Sequence, residues 1–133
     1  MPKTWREKLN NGKSPHIELV EKPMMGLVPG QKLLVSTPLD VQHAIDKLEK
    51  GHLASVPELR QALAREAGAD TSCPMTTGIF VRIVAECAWD EVLEGKPAEK
   101  VTPFWRVVEP SSPLAKKLRC GPEFIRKMRE LES

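Results

Sequence analysis

One stretch of the sequence decides the fold, residues 55–95: SVPELRQALAREAGADTSCPMTTGIFVRIVAECAWDEVLEG. It opens with Ser55 and carries Glu58 three residues later, which is the spacing of a capping box at the start of a helix. Apolar residues then recur at helical spacing up to Gly68, and glycine commonly ends helices. After a short loop a longer helix is predicted over about residues 74–94, so the stretch predicts two helices joined by a turn.

The longer helix is predicted to bury one face. The apolar residues assigned to that face are Ile79, Phe80, Ile83, Val84 and Cys87. Arg82 and Glu86 lie on another face, four residues apart, and this spacing allows an ion pair. The sequence therefore predicts an amphipathic helix whose polar side holds a local salt bridge.

A helix is also predicted before this stretch. Thr37 precedes Pro38, and a hydroxyl cap followed by proline at the first helical position is a good start signal. Apolar residues continue at helical spacing to Leu48, and Gly51 is a natural stop. The next three residues, 52–54, are predicted to form no more than a strand fragment.

The C-terminal part completes the predicted order of elements. Residues 101–108 are apolar and partly β-branched, which favours a strand, and residues 109–121 are predicted to form an exposed loop or wing. A last helix is predicted over residues 122–132. Its inward residues are Phe124, Ile125 and Met128. This order indicates a mainly α fold with a small β wing, a winged helix-turn-helix domain over residues 36–133.

Residues 1–35 are predicted to be an extended N-terminal segment outside that domain. Residues 5–9 suit one turn of helix, whereas residues 17–20 and 33–35 suit short extended segments packed on the body. Between them lie Asn-Gly, Ser-Pro, Lys-Pro and Pro-Gly pairs, which form turns and break helices.

The composition is typical of one globular domain. The chain has 133 residues and a formal net charge of +2, which is too small to indicate nucleic-acid binding by itself. No apolar run is long enough to span a bilayer, and the polar start does not resemble a signal peptide. We therefore expect a cytoplasmic protein without a membrane partner.

The cysteines are expected to be reduced thiols. Cys73, Cys87 and Cys120 are odd in number and widely spaced, which favours neither a disulfide framework nor a metal site. No cofactor is implied. Cys73 stands directly before a predicted helix, where the pKa of a thiol can be lowered, so an unrelated chemistry at Cys73 is one function left open.

Four segments carry a resemblance to a known family. Residues 51–59 (GHLASVPEL) match the pattern G-x-V-x-T-Y-G-x-L, residues 103–108 (PFWRVV) match P-C-H-R-V-V, and residues 127–132 (KMRELE) match K-x-x-L-L-x-x-E, each in part. These are motifs of the methylguanine-DNA methyltransferases; the related alkyltransferase-like proteins replace the cysteine alone and keep the histidine. Residues 73–80 (CPMTTGIF) are similar to the C-P-x-T-T-G-I-F stretch of a branch of this family that carries P-Y-W-R. The resemblance implies the family's DNA-binding winged-helix domain.

The resemblance also implies a vestigial active site at Pro103, Phe104, Trp105, Arg106 and Glu132. In that family a cysteine accepts the alkyl group and is activated by a histidine, which a glutamate holds. Phe104 stands at the cysteine position and Trp105 at the histidine position, and neither side chain can supply a nucleophile or a base. We therefore predict that the protein is not an enzyme of this kind and transfers no methyl group.

Two alternatives stay open for the residues of this vestigial site. Phe104 and Trp105 either plug the former pocket as part of the core or line a pocket that stacks a base or a small ligand. Arg106 either forms a scaffold salt bridge with Glu132 or contacts a substrate.

A winged-helix fold implies candidate DNA contacts. They are Ser55, Val56, Thr76, Thr77, Gly78, Arg82, Lys116, Lys117 and Arg119. Val56 replaces the tyrosine that helps the family rotate a base out of the duplex, so base flipping is not expected. Thr76 and Thr77 either bind phosphates or cap the helix.

Besides an unrelated chemistry at Cys73, two functions of different kinds therefore compete. The first is a non-enzymatic module that binds double-stranded DNA weakly, in the context of DNA damage. The second is a winged-helix protein that has lost DNA binding and acts as a protein-interaction or small-ligand-binding module.

Overall fold

The longest helix of the chain is also its most deeply packed. A computed structural model describes residues 3–133, and this part of the chain is mainly helical with one small sheet. The helices are α1 (Trp5–Leu9), α2 (Pro38–Asp46), α3 (Val56–Ala67), α4 (Pro74–Leu93), α5 (Pro113–Lys117) and α6 (Gly121–Glu132). The strands are β1 (His16–Leu19), β2 (Lys32–Val35) and β3 (Thr71–Ser72). The predicted mainly α fold with a small β component is confirmed, but the sheet does not lie where the wing was predicted.

Local capping explains where the helices begin. In α3 the Ser55 hydroxyl accepts a hydrogen bond from the Glu58 amide at 3.2 Å, and the Ser55 amide donates to the Glu58 carboxylate at 3.1 Å. Gly68 then follows α3 with a left-handed φ of 73°, a conformation that glycine adopts without strain. Thr37 caps α2 in the same way, together with Asp40. Both predicted helix starts are confirmed.

The middle of helix α4 is buried, because α1, α2 and α3 all pack against this helix. Ile83, Val84 and Cys87 face the core, as predicted. Ile79 was also predicted to be buried, but it is 51% exposed, and Met75 one turn earlier is 59% exposed. The prediction for Ile79 was wrong because none of the described elements covers this side of the first two turns of α4.

The predicted ion pair between Arg82 and Glu86 does not form. The Glu86 side chain is only 1% exposed, and its Oε1 accepts a hydrogen bond from Arg119 Nε at 3.0 Å. The Arg82 guanidinium instead lies 5.4 Å from the centre of the Trp5 ring. The prediction was wrong because Glu86 points into the core, where a buried carboxylate needs a close cationic partner.

The sheet is built largely by the N-terminal segment. Strand β1 pairs antiparallel with β2, and β2 pairs parallel with the two-residue β3, which gives the order β1-β2-β3. Val20, Leu27 and Leu33 form a small apolar cluster, against which Cys73 packs. The short helix and the extended segments predicted before residue 36 are confirmed. A domain boundary at residue 36 stays a prediction.

The strand predicted over residues 101–108 is wrong. Residues Phe104–Arg106 form a 3₁₀ turn, closed by a hydrogen bond from the Arg106 amide to the Pro103 carbonyl at 3.0 Å. The Val107 amide donates to the Phe104 carbonyl at the same distance. Because the rings of this turn are buried in the core, tertiary packing has overridden the local preference for a strand.

The predicted β wing is not found in the described part of the chain. Residues 109–121 contain α5, whose start is capped by Ser112, because its hydroxyl accepts from the Ala115 amide at 3.2 Å. Ala115 is fully buried, so this segment packs on the body and does not project from it. The last helix, α6, follows at the predicted place. Its buried residues are Ile125 and Met128.

Residues 52–54 do not form the predicted strand fragment either. The Ala54 amide donates one hydrogen bond to the Arg106 carbonyl at 2.9 Å. One hydrogen bond is not the repeated pairing that defines a β-strand. Among residues 3–133, no helix has both the length and the apolar character needed to cross a bilayer.

Candidate functional site

The 3₁₀ turn and the end of α6 bring together the residues that the methyltransferase resemblance assigns to a vestigial active site. The Arg106 guanidinium binds the Glu132 carboxylate through two contacts, Nε–Oε1 at 3.0 Å and Nη2–Oε2 at 2.7 Å. Its Nη1 donates to the Leu48 carbonyl at 2.5 Å. The two side chains are 12% and 8% exposed. The hydrogen bonds from Arg106 are the main reason why the pKa of Glu132 is lowered. The expected salt bridge is present and ties α6 to the segment after α2.

Phe104 and Trp105 lie in the core. They are 0% and 1% exposed, and their ring centres are 5.4 Å apart in an edge-on arrangement. The ring centre of each lies 6.1 Å from that of Phe124 in α6. A cluster of this kind contributes apolar burial and aromatic contacts. The geometry is that expected if these residues plug the former pocket.

A cleft of about 390 Å³ lies beside this cluster. Pro103, Trp105, Arg106 and Glu132 line one part of it. Its other apolar residues are Val101, Met128 and Leu131. The buried Trp105 Nε1 makes no hydrogen bond of normal geometry to any described residue, although it is near enough to the Glu132 carboxylate to contribute to its lowered pKa. The cleft therefore combines apolar residues, one N–H donor and one ion pair with three further charged residues, Asp46, Lys50 and Glu99.

Arg129 is a residue of this region that the sequence analysis missed. Its Nε donates to the Trp105 carbonyl at 2.7 Å, and its Nη2 donates to the Val108 carbonyl at 3.0 Å. Burial lowers the pKa of this guanidinium. The Arg129 guanidinium therefore hydrogen-bonds the backbone around the 3₁₀ turn and is not directed to the protein surface. The sequence did contain a signal for this role. Arg129 lies four residues after Ile125, which was predicted to point inward, and residues four apart share one face of a helix.

The candidate DNA contacts at the starts of α3 and α4 are largely engaged within the chain. The Ser55 hydroxyl caps α3. Thr77 is fully buried, and its hydroxyl donates to the Cys73 carbonyl at 2.7 Å. The partly buried Thr76 hydroxyl lies 3.5 Å from the same carbonyl. Val56 and Gly78 are partly buried. Because a buried hydroxyl cannot reach a phosphate, the internal role fits Thr77 better than phosphate binding.

The candidate basic contacts differ in what they bind. Arg119 is held by two carboxylates of α4, with Nε 3.0 Å from Glu86 Oε1 and Nη2 2.7 Å from Asp90 Oδ1. Lys116 and Lys117 lie on the last turn of α5, are exposed, and form no ion pair within residues 3–133. The two lysines are therefore the basic candidates that remain available to a partner.

The thiols offer little nucleophilic chemistry. Burial raises the pKa of Cys87 and of Cys120 to about 11, so both are protonated at neutral pH. Cys73 is partly buried and packs against the apolar cluster of the sheet, whereas a catalytic thiol needs a base beside it. In the part of the chain that the structure describes, no group of three or more His, Cys, Asp or Glu residues is placed to hold a metal ion.

One surface was not singled out by the sequence analysis. All four residues of β1 are exposed, and the loop that follows exposes Met24 (52%), Met25 (48%) and Val28 (58%). Leu19, 65% exposed, and Met24 border a hollow of about 610 Å³. We call β1 together with Met24, Met25 and Val28 the hairpin surface. The sequence signal was an apolar Met-Met pair within a turn-rich segment, where solvent-exposed polar residues are expected.

Comparison with known proteins finds no relative of this chain. No protein-family model, no curated protein and no solved structure matches the chain. The methyltransferase resemblance therefore depends on the four segments alone, and the function has to be argued from the geometry.

Proposed function

We propose that this chain is a catalytically inactive relative of the methyltransferases that keeps their helix-turn-helix without the β wing and acts by binding a protein partner. In this proposal α3 and α4 correspond to the helix-turn-helix, and the turn Phe104–Arg106 occupies the place of the family's catalytic strand. The aromatic residues of that turn support the loss of catalysis, because they are buried and offer neither a nucleophile nor a base.

The exposed side of α4 argues against DNA as the main partner. A recognition helix enters a groove and presents polar side chains to the base edges. The strongly exposed residues in the first two turns of α4 are Met75 and Ile79, which offer no hydrogen bonds to bases. Lys116 and Lys117 can attract phosphates, but phosphate contacts alone give weak, salt-sensitive binding without sequence preference.

The observation that carries the proposal is the hairpin surface. Within residues 3–133, β1 is paired on one side only, by β2, so the backbone groups of its other side face solvent. Leu19 and Met24 are exposed at the same place. Unpaired strand edges bind extended segments by strand addition, and flexible methionines adapt to the side chains of a partner. The proposed partner is therefore an extended protein segment.

A photo-reactive amino acid in place of Leu19 tests this proposal in cells. We expect cross-linked protein adducts from position 19 and only background from Leu93, which is similarly exposed at 63% but lies at the end of α4. Ile17→Pro should suppress the adducts, because proline removes a backbone donor from the strand edge. Adducts that are absent, equal at both positions or unaffected by Ile17→Pro would contradict the proposal.

A second candidate function is the binding of a small ligand in the cleft beside Trp105. The observation that favours it is the buried Trp105 Nε1 without a normal hydrogen bond, because a buried donor gains from an acceptor. A ligand with one carbonyl-type acceptor, an apolar part against Val101 and Met128, and a polar part against Asp46, Lys50 and Glu99 would match the cleft. Acceptor-bearing fragments should raise the Tm of the wild type and not that of Trp105→Phe. A fragment screen without hits that depend on Trp105 would reject this function.

A further inference from the structure

The free edge of the sheet is defined by the direction of its backbone groups. On the side of β3, the Lys32 carbonyl accepts from the Asp70 amide at 2.9 Å, and the Leu34 carbonyl accepts from the Cys73 amide at 3.1 Å. Successive residues of a strand turn their backbone groups to opposite sides. The alternate residues of β2 therefore direct their backbone groups toward β1.

On β1, the pairing register gives these inward bonds to His16 and Glu18. The N–H and C=O groups of Ile17 and Leu19 consequently point outward, to the solvent-exposed edge. The side chains of His16 and Glu18 share one face of the strand, where His16 Nε2 lies 2.8 Å from Glu18 Oε1. The side chains of Ile17 and Leu19, 45% and 65% exposed, share the other face.

We propose that the segment bound at this edge is β1 of a second copy of this chain, in an antiparallel pair centred on Ile17; this rests on the protein-interaction function proposed above. In this register the two Ile17 residues exchange both of their backbone hydrogen bonds. His16 of one copy lies opposite Glu18 of the other, so an imidazole faces a carboxylate at two places, where a cross-strand hydrogen bond can form. The Leu19 amide donates to the Pro15 carbonyl of the second copy, and Pro15 ends the ladder because it has no N–H.

The charges select this register over its neighbour. A pair centred on Glu18 would use the same outward backbone groups, but it would place the two Glu18 carboxylates directly opposite each other. Like charges at this position destabilise a strand pair. The register centred on Ile17 avoids that contact and also places the two exposed Ile17 side chains against each other.

The other edge of the sheet does not extend the assembly. Strand β3 has only two residues, and α3 covers it. The Ser72 hydroxyl donates to the Arg60 carbonyl at 2.9 Å, and Arg60 Nη2 donates to the Ser72 carbonyl at 3.0 Å. With one edge covered and the other paired with itself around a two-fold axis, the assembly closes at two copies.

Sedimentation velocity of the purified chain over a concentration series tests this proposal. The mass should rise with concentration from 14.9 kDa to twice that value. Ile17→Pro should weaken association about tenfold or more, and circular dichroism should show an unchanged fold, because the lost N–H points outward. Glu18→Lys should weaken association in the same way. Adding His16→Glu to Glu18→Lys should restore it, because opposite charges then face each other across the two-fold axis.

The matched control is Leu93→Ser, which removes an equally exposed apolar side chain far from β1 and should associate like the wild type. A monomer at every concentration up to about 1 mM, or a dimer unaffected by Ile17→Pro, overturns the self-pairing. A double variant as weak as Glu18→Lys alone overturns the register. If the chain is monomeric but the photo-reactive residue at position 19 cross-links a different protein, the self-pairing proposal fails and the proposed function stands. If the chain is monomeric and position 19 gives no adduct, both the self-pairing and the proposed function fail.

Discussion

Removing the Arg106 guanidinium tests whether its ion pair with Glu132 holds the fold together. Arg106→Met keeps an apolar stem but leaves the Glu132 carboxylate, 8% exposed, without its charged partner and the Leu48 carbonyl without its donor. Breaking a buried pair by removing one partner costs about 3–5 kcal/mol. Because this pair retains slight contact with solvent, we expect the lower end, about 3 kcal/mol. In a chain of 133 residues this corresponds to a fall in Tm of about 10 °C.

Urea denaturation followed by circular dichroism measures this loss as a change in the free energy of unfolding. Arg6→Met is the matched control, since it removes a guanidinium whose pair with Glu94 is exposed, at 52% and 57%. That variant should resemble the wild type, because exposed ion pairs contribute little. If Arg106→Met were as stable as Arg6→Met, the Arg106–Glu132 pair would not hold α6 and the argument would be wrong.

Acidification should destabilise the fold, because Arg106 holds the pKa of Glu132 below its ordinary value of 4.5. The ionised Glu132 carboxyl therefore stabilises the folded chain above pH 4.5. This contribution to the free energy of unfolding is lost as the pH falls through the lowered pKa. Urea titrations of Glu132→Gln should show a weaker acid dependence than the wild type. Ile83→Ala should cost about 2–5 kcal/mol, whereas Ile79→Ala, one turn earlier and half exposed, should change the free energy of unfolding by less than about 0.5 kcal/mol. Methylated duplex DNA with a labelled methyl group should transfer no label to the protein; near-stoichiometric labelling would refute this. In gel shifts at low salt, Lys116→Glu with Lys117→Glu should weaken any duplex binding by the same factor on every sequence, and tight, lesion-specific binding that ignores these changes would contradict it.

The helix starts could be predicted because capping is a local interaction. Ser55 and Glu58 are three residues apart and satisfy each other's backbone groups whatever lies around them. The segment 101–108 could not be predicted in this way. Its conformation is decided by the packing of Phe104 and Trp105 against Phe124 of α6, a contact that the local pattern of β-branched residues does not encode.

The distinction between local and long-range interactions also decides which contacts around Arg106 and β1 could be predicted. The Arg106–Glu132 pair was expected because the resemblance placed both residues in one motif set, and the pair is present. Arg129 was missed, because its role depends on which carbonyls the 3₁₀ turn leaves unpaired. The hairpin surface was missed because the edge of β1 is defined only once β2 pairs with β3, and that parallel pairing joins residues far apart in the sequence.

The distribution of charge and of unpaired backbone supports the proposal of a protein partner over that of DNA. Arg119 is neutralised by carboxylates of α4, Arg106 by Glu132, and Arg129 binds backbone carbonyls. Three basic side chains are therefore committed to holding the fold, and the net charge of +2 leaves little positive field with which to attract phosphates. At the hairpin surface, by contrast, the groups that could bind a partner are not bound within the fold. Its outward N–H and C=O groups and its exposed methionines are bound by nothing within residues 3–133, and a strand from another protein chain satisfies both at once.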